Sequence, residues 1–391
     1  MMTATRMVSA ALLMIALVLA AAPCGNAGDF ETNPGDFNFD GNTVVLTLTE
    51  NPMHPRVMVD VGDGEQYEFI VDTGASVNVI DSRIAESLGY EVIGETEIGA
   101  PGGPQIPASI VRVPMANVGD ATIENADFVT MDIDGFSHGQ TQGILGLQLF
   151  REYLLTFDQT GSRITVSRDS LSADDAGVLP FQAESSHIQI DVDVAGMRVA
   201  THVDTGSMGG LTLPAELMAS LPLLEAAQSS AKARLVGGDR EISLAQLNGT
   251  LRFADLSYEN PDIGFMSPSP GYGNVGGQIL GELIVSVDQR NHLIAFRKPA
   301  REAIAAADNK LRRLGVMFRG LPGGSVLTIA KVDRGSIGEQ AGLLAGDVLL
   351  TLNGRPTEDY DMSELGTLFG STTPLRFNIE RNGVSKIVDI P

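Results

Sequence analysis

The chain has 391 residues, room for two to four domains of ordinary size, and its 43% hydrophobic and 19% charged residues exclude global disorder. Against 26 Lys and Arg stand 49 Asp and Glu, a net charge of −23. Such a surface repels nucleic-acid phosphates and anionic lipid, so neither is expected as a partner.

Residues 1–27 hold a single charge, Arg6, an apolar run from Ala10 to Ala22, and small residues at Gly25-Asn26-Ala27. This pattern reads as a cleaved secretory signal peptide, since the run is shorter than the ~20 residues of a transmembrane span. The expected location is therefore periplasmic or secreted. Cys24 is the one cysteine, so neither a disulfide framework nor a cysteine zinc site is expected. It is also a possible lipid anchor, for which Pro23 is a poor neighbour. The 44 glycines and the absence of Trp suit many short strands and tight turns, and the fold class expected is mainly β.

An internal repeat organises the middle of the chain. Val57 to Ser76 and Ile188 to Ser207 both alternate apolar and polar residues, turn at a Gly-containing pair, alternate again and end in Asp-Thr-Gly, at Asp72-Thr73-Gly74 and Asp204-Thr205-Gly206. Downstream, Gly143-Ile144-Leu145-Gly146 and Gln278-Ile279-Leu280-Gly281 are read as corresponding strands. Each copy then reaches an Asp-Gln pair, Asp158-Gln159 and Asp288-Gln289. Short helices are expected over Ser82–Leu88, capped by Asp81, and over Ala215–Leu221, opened by Pro214. Two related β domains are thus expected at 38–170 and 180–298, joined by Asp169–Pro180. A charged helical connector is expected over Arg301–Arg313, and a third, different domain over 311–391.

The chemistry follows from two aspartates at tight turns. If a pseudo-twofold axis brings Asp72 and Asp204 together, they cannot both ionise and share one proton. The ionised member can take a proton from water and the protonated member can donate to a peptide carbonyl, which is general acid–base hydrolysis. Thr73, Gly74, Thr205 and Gly206 would shape the turns. Ser207 follows the second triad where Ala75 follows the first, so the two sites are not electrostatically equal. His202 stands where the first copy has Ile70; it either charges the dyad or points away into its domain.

On these paired motifs the sequence resembles the aspartic proteases, most of all secreted bacterial retropepsin-like forms with two lobes in one chain, over about residues 40–298. The resemblance implies a bilobal acid-protease fold of two β-barrel-like lobes, with Asp72 and Asp204 as the catalytic dyad and no cofactor. It also implies that the two Ile-Leu-Gly segments pass behind the catalytic loops. Two Gly-rich tips, 98–106 with Gly102 and Gly103, and 235–240 with Gly237 and Gly238, are either substrate-binding flaps or ordinary exposed hairpins.

Other motifs carry less. Gly271-x-Gly273-x-x-Gly276 matches a dinucleotide fingerprint but is followed by an expected strand instead of a helix, so it is rejected. The five histidines lack i,i+3 or i,i+4 spacing, so no metal is expected.

The C-terminal stretch resembles a PDZ domain in Leu314-Gly315-Val316-Met317, similar to a carboxylate-binding loop, and in Gly335 to Gly354. The resemblance implies binding of C-terminal peptides at those four residues, with a helix over Met362–Phe369 as the far wall; packing or dimerisation is the alternative role. The combined expectation is an aspartic endopeptidase acting on polypeptides, with a PDZ domain recruiting or regulating substrate. The alternatives are a non-catalytic peptide-binding scaffold and an enzyme active only as a homodimer.

Overall fold

A computed structural model describes residues 13–15, 20–21, 32–49, 54–133, 137, 141–182, 187–299, 314–319, 327–332, 336–360, 365, 368–369, 374–381 and 383–390. Two compact units divide the chain; the larger spans 14–228 and 233–299, and the smaller includes 300–391.

The larger unit is built almost wholly of strands, and their alternation sets their burial. Thr43–Thr47 buries only Val44 and Leu46, every second residue. Tyr67–Asp72 buries its last four residues, because it lies between Arg56–Val59 (antiparallel) and Gly143–Gly146 (parallel) inside a sheet.

The first repeat forms a sheet in the order Val92–Gly99, Ile106–Val118, Ala121–Met131, Asn78–Asp81, Gly143–Gly146, Tyr67–Asp72, Arg56–Val59. The second repeat has the order Gln228–Leu235, Gly238–Gln246, Asp262–Ser267, Leu211–Pro214, Gly273–Val275, Met197–Val203, Gln189–Val194. The two orders agree place by place. So do the directions: Ala121–Met131 runs parallel to Asn78–Asp81 as Asp262–Ser267 does to Leu211–Pro214.

This topology corrects one expectation. Ile279-Leu280-Gly281 is not the partner of Ile144-Leu145-Gly146; Gly277–Leu280 is a short α-helix, and Gly273–Val275 takes the strand position. Gly276 therefore answers Gly146. Leu147 N–H donates to Ala75 O (3.0 Å) and Gly277 N–H to Ser207 O (2.6 Å), which fixes the alignment. The fingerprint glycines are thus absorbed by the fold. A helix does follow them, but the Gly276 N–H donates to Gly210 O, so no cradle of free N–H groups remains for phosphate.

A third sheet joins the repeats, in the order Val178–Pro180, Leu293–Arg297, Ile284–Asp288, Leu154–Asp158, Arg163–Ser167, Thr43–Thr47. Its central pair is antiparallel about Thr156 and Ser286, whose hydroxyls bond at 2.9 Å. The two Asp-Gln pairs reach across this seam. The Gln289 amide donates to Leu147 O (2.8 Å), and Gln159 packs where a side chain on Gly281 would stand.

The helix Ser82–Ser87 begins at Asp81, whose carboxylate accepts from Arg83 N–H, and ends at Gly89 with φ +65°. The element after Pro214 is a 3₁₀ turn, Ala215–Ser220. Within residues 1–27, Leu13–Ile15 and Ala20–Ala21 are short strands, the latter beside Ile98 and Gly99. Cys24 and the expected cleavage site lie outside the described residues.

In the C-terminal unit the strands run Val316–Arg319, Leu327–Val332, Val348–Leu352, Leu375–Arg381, Val384–Ile390 across one sheet. Its core, including Leu327, Ile329, Leu349, Phe377 and Ile379, is a cluster of its own. Arg381 clamps Asp347 through two bonds of 2.5 and 2.6 Å, and Ser336 caps the short helix Ile337–Gln340. The connector 301–313 lies outside the described residues, as does most of 362–369; Leu365 is buried in this core.

Candidate active site

Both Asp-Thr-Gly turns stand at the ends of buried central strands and interlock. Thr73 Oγ1 donates to Val203 O (2.7 Å) and accepts from Thr205 N–H (3.0 Å). Thr205 Oγ1 returns the same pair of bonds, donating to Val71 O (2.9 Å) and accepting from Thr73 N–H (3.0 Å). Four bonds thus repeat about a local twofold, and each threonine is held by the other repeat. This grip brings the carboxyls of Asp72 and Asp204 together, so close that the Gly206 N–H is shared between an oxygen of each.

The glycines are required there by contact. A Cβ on Gly74 or on Gly206 would run into the opposite aspartate. Their N–H groups point inward: Gly74 N–H donates to Asp72 Oδ1 (2.6 Å), and Gly206 N–H to Asp204 Oδ1 (3.0 Å) and Asp72 Oδ1 (3.1 Å). One oxygen of each carboxyl, Oδ2, has no partner. Behind the turns, a Cβ on Gly146 would meet Val77 O and one on Gly276 would meet Gly209 O and Ser207.

Burial dominates the electrostatics. Asp72 is 1% exposed and Asp204 0%. Asp72 is pushed well above the usual carboxylate range, first by burial and then by the charge of Asp204, against the pull of the Gly74 and Gly206 N–H groups. Asp204 is raised to about 6: burial outweighs the Asn274 side chain, the Gly206 and Ser207 backbone and the Asp72 bond, which all lower it. The pair holds one proton over a broad range and titrates as a unit.

His202 does not charge this dyad. It is fully buried and lowered to about 3, by desolvation and then by His187, whose ring stands edge-on at 5.0 Å. His54, beside the Gly206 backbone, is likewise lowered to about 3 by burial and then by Arg56. Sequence reading gave His54 no role; its position two residues ahead of Arg56–Val59, matched by His187 ahead of Gln189–Val194, was the available signal.

The two hairpin tips meet each other over this region, so they are not independent exposed turns. Ala100 N–H donates to Val236 O (3.0 Å), and the Arg240 guanidinium donates to Pro101 O (2.8 Å) and Pro268 O (3.1 Å). Val236 is buried in a cluster with Ala75, Val77, Ile110 and Ile144 of the first repeat. Gly103 packs on Arg240, Gly102 faces Ser269 O and Gly237 faces Pro104 O, while Gly238 meets nothing within 4 Å. Under the tips, on the side of the second repeat, an apolar cavity of about 40 Å³ is lined by residues including Ala100, Leu235, His202, Tyr272 and Asn274, and by neither aspartate. That is far below the ~150 Å³ that holds a benzene ring.

In the C-terminal unit, Leu314 is corrected as a binding contact. Its side chain is in the core and its carbonyl accepts from Gly338 N–H (2.8 Å). Gly315 has φ +56°, and Val316 and Met317 lie on the strand Val316–Arg319, which stands at one edge of its sheet among the described residues. Among the described residues there is no cluster of three metal-ligating side chains and no helix long and apolar enough to cross a membrane.

Comparison with known families agrees with these two regions. Residues 57–149, which hold the first Asp-Thr-Gly turn and Gly143–Gly146, match the aspartyl protease family model. Residues 328–378 match the PDZ domain model. These families support a protease carrying a PDZ domain. No curated protein matches the chain.

Proposed function

We propose that the chain is an aspartic endopeptidase whose two repeats form one intramolecular site. The observation that carries the reading is the reciprocal Thr73–Thr205 grip that sets Asp72 against Asp204. In the reaction, the ionised aspartate takes a proton from water as its oxygen adds to the peptide carbonyl carbon. The protonated aspartate gives its proton to the carbonyl oxygen. The tetrahedral diol then collapses as a proton passes to the amide nitrogen and the C–N bond breaks. The unpartnered Oδ2 atoms of both aspartates are where that water would bond. The Gly-rich tips act as a lid, and opening it admits an extended polypeptide.

The C-terminal domain is proposed to recruit or regulate substrate by adding a peptide strand at Val316–Arg319. The acidic chain, with its leader, is proposed to work in the periplasm or outside the cell. Burial of the dyad is the one observation that favours a non-catalytic scaffold, and it is what a closed lid produces. The test is digestion of a reduced, unfolded protein from about pH 4 to about pH 8, with and without a statine-type transition-state analogue. Cleavage blocked by the analogue is expected; no cleavage of any unfolded substrate would favour the scaffold.

A further inference from the structure

The two repeats differ beside their Asp-Thr-Gly turns. Counted from Gly146 and Gly276, Arg151 of the first repeat answers Gly281 of the second, and Gln148 answers Gln278. Counted from the aspartates, Asn78 answers Gly210. In the second repeat Gly210 O accepts from Gly276 N–H (2.9 Å), and a Cβ on Gly210 would stand 3.1 Å from Gln278 Oε1. In the first, the Asn78 side chain takes over the glycine bond. Its Oδ1 accepts from Gly146 N–H (3.0 Å) and its amide donates to Pro34 O (3.0 Å).

Beside the first turn lies a pocket of about 560 Å³, within the range of ligand sites. Ser76 and Val77, which follow Ala75 directly, line it with Asn78 and Arg151. Asn33 forms another part of the wall and is fixed in place. Its N–H donates to Asp127 Oδ2 (2.8 Å) and its side chain to Asn125 O (2.9 Å). The pocket is therefore formed before any ligand arrives.

Among the described residues two full charges line it, and only one is matched. Asp127 is buried and spends Oδ2 on Asn33 and Oδ1 on Arg112 Nε (2.8 Å). Arg151 has no such partner. Its Nη1 makes two long bonds, to Gly35 O (3.4 Å) and Gln148 O (3.2 Å), and its Nη2 donates to no described residue. The carboxylate within ion-pair range is Glu152, 3.8 Å away with a side chain 70% exposed, and such a pair contributes little. A guanidinium with a free edge at a pocket matches a carboxylate through paired N–H···O bonds.

We propose that this pocket is a subsite for an acidic side chain, Glu or Asp, of a bound polypeptide, and that Arg151 holds it. Its part in choosing substrates rests on the proteolytic reading; the binding of the acid does not. A molecule of net charge −23 repels polyacidic chains at long range, so the subsite selects a single acid within a neutral or basic stretch.

The experiment uses the full chain carrying Asp72→Asn, chosen to prevent turnover. It is titrated with fluorescent peptides of one extended neutral sequence, blocked at both ends, with Glu, Gln or Lys at each position in turn. At one position Glu should bind about tenfold more tightly than Gln. The preference should vanish in Arg151→Gln and pass to Lys in Arg151→Glu. It should survive Arg198→Glu, a charge reversal at an exposed arginine paired with Asp191. With Asp72 restored, the same preference should appear in KM, with kcat little changed. Glu and Gln peptides that bind alike at every position, or not at all, would overturn the proposal, a result that needs no folded Arg151 variant. A Glu preference that persists in Arg151→Gln would overturn it too, as would tighter binding only of peptides with a free C-terminus. A Glu preference in binding without cleavage by wild type would instead sink the proteolytic reading alone.

Discussion

At the residue scale, the two aspartates are tuned together, and on the proteolytic reading the direction of tuning sets the working pH. One carboxyl must be ionised, and the lower member is at about 6. The other must stay protonated, and Asp72 is held well above its ordinary value by burial and by Asp204. Activity should therefore rise as pH increases through about 6 and persist above it, in contrast to a dyad working in strong acid; a kcat/KM profile that peaks near pH 3 would contradict this. The buried histidines act on stability with the opposite sign from the dyad. His54 and His202 are near 3 when folded against 6.5 when free, so the unfolded chain binds more protons between these values. Their contribution is complete above 6.5 and lost as pH falls toward 3. Replacing His202 by Val should flatten the fall in unfolding free energy over that window by up to about 1.4 kcal/mol per pH unit, read from urea melts.

At the element scale, the meeting tips, a lid on the proposed reading, and the glycine-backed turns carry the rigidity of the region. Burying Val236 contributes about 1.5–3 kcal/mol, and the Ala100 and Arg240 bonds about 1 kcal/mol each. Desolvation of Arg240, which lowers its pKa, works against closure. The closed form should thus predominate while a minor open form stays within reach. Arg240→Ala removes both carbonyl bonds and should speed hydrogen exchange at the Ala100 amide by about 5–30-fold, the factor that 1–2 kcal/mol represents; unchanged exchange would show that Arg240 does not hold the tips. Under the Asp-Thr-Gly turns, Gly276→Ala and Gly146→Ala should destabilise to a similar degree, about 1–3 kcal/mol in chemical denaturation, because each added methyl meets a backbone carbonyl just after the Asp-Thr-Gly of the same repeat.

Such element-level roles were only partly legible in the sequence. The Asp-Thr-Gly turns announced themselves, since each closes an alternating strand. The Ile-Leu-Gly pairing misled because letters match at Ile279 although position does not. Gly146 and Gly276 each lie 12 residues before their Asp-Gln pair, a spacing that holds the true correspondence. The meeting of the tips, the burial of Val236 and the pairing of Asn274 with His202 are tertiary, made by strands far apart in the chain, and no local pattern encodes them.

At the scale of the whole molecule, the joining sheet ties the two repeats, and with them the two Asp-Thr-Gly turns, together within one chain. Leu154–Asp158 and Ile284–Asp288 pair at its centre, and Gln289 reaches the 3₁₀ turn after Gly146. The C-terminal unit has its own core and its own buried Asp347–Arg381 pair. A fragment of residues 300–391 is therefore expected to unfold cooperatively by itself in urea; a broad, gradual loss of signal would show that its fold depends on the rest of the chain.

The central claim is that one molecule brings both carboxyls to bear on one peptide bond. The most direct measurement compares cleavage by Asp72→Asn, by Asp204→Asn and by an equimolar mixture of the two, each against wild type. Both single variants and their mixture should be inactive, since neither chain then holds a complete pair. Activity in either variant alone, or its return on mixing, would contradict the account.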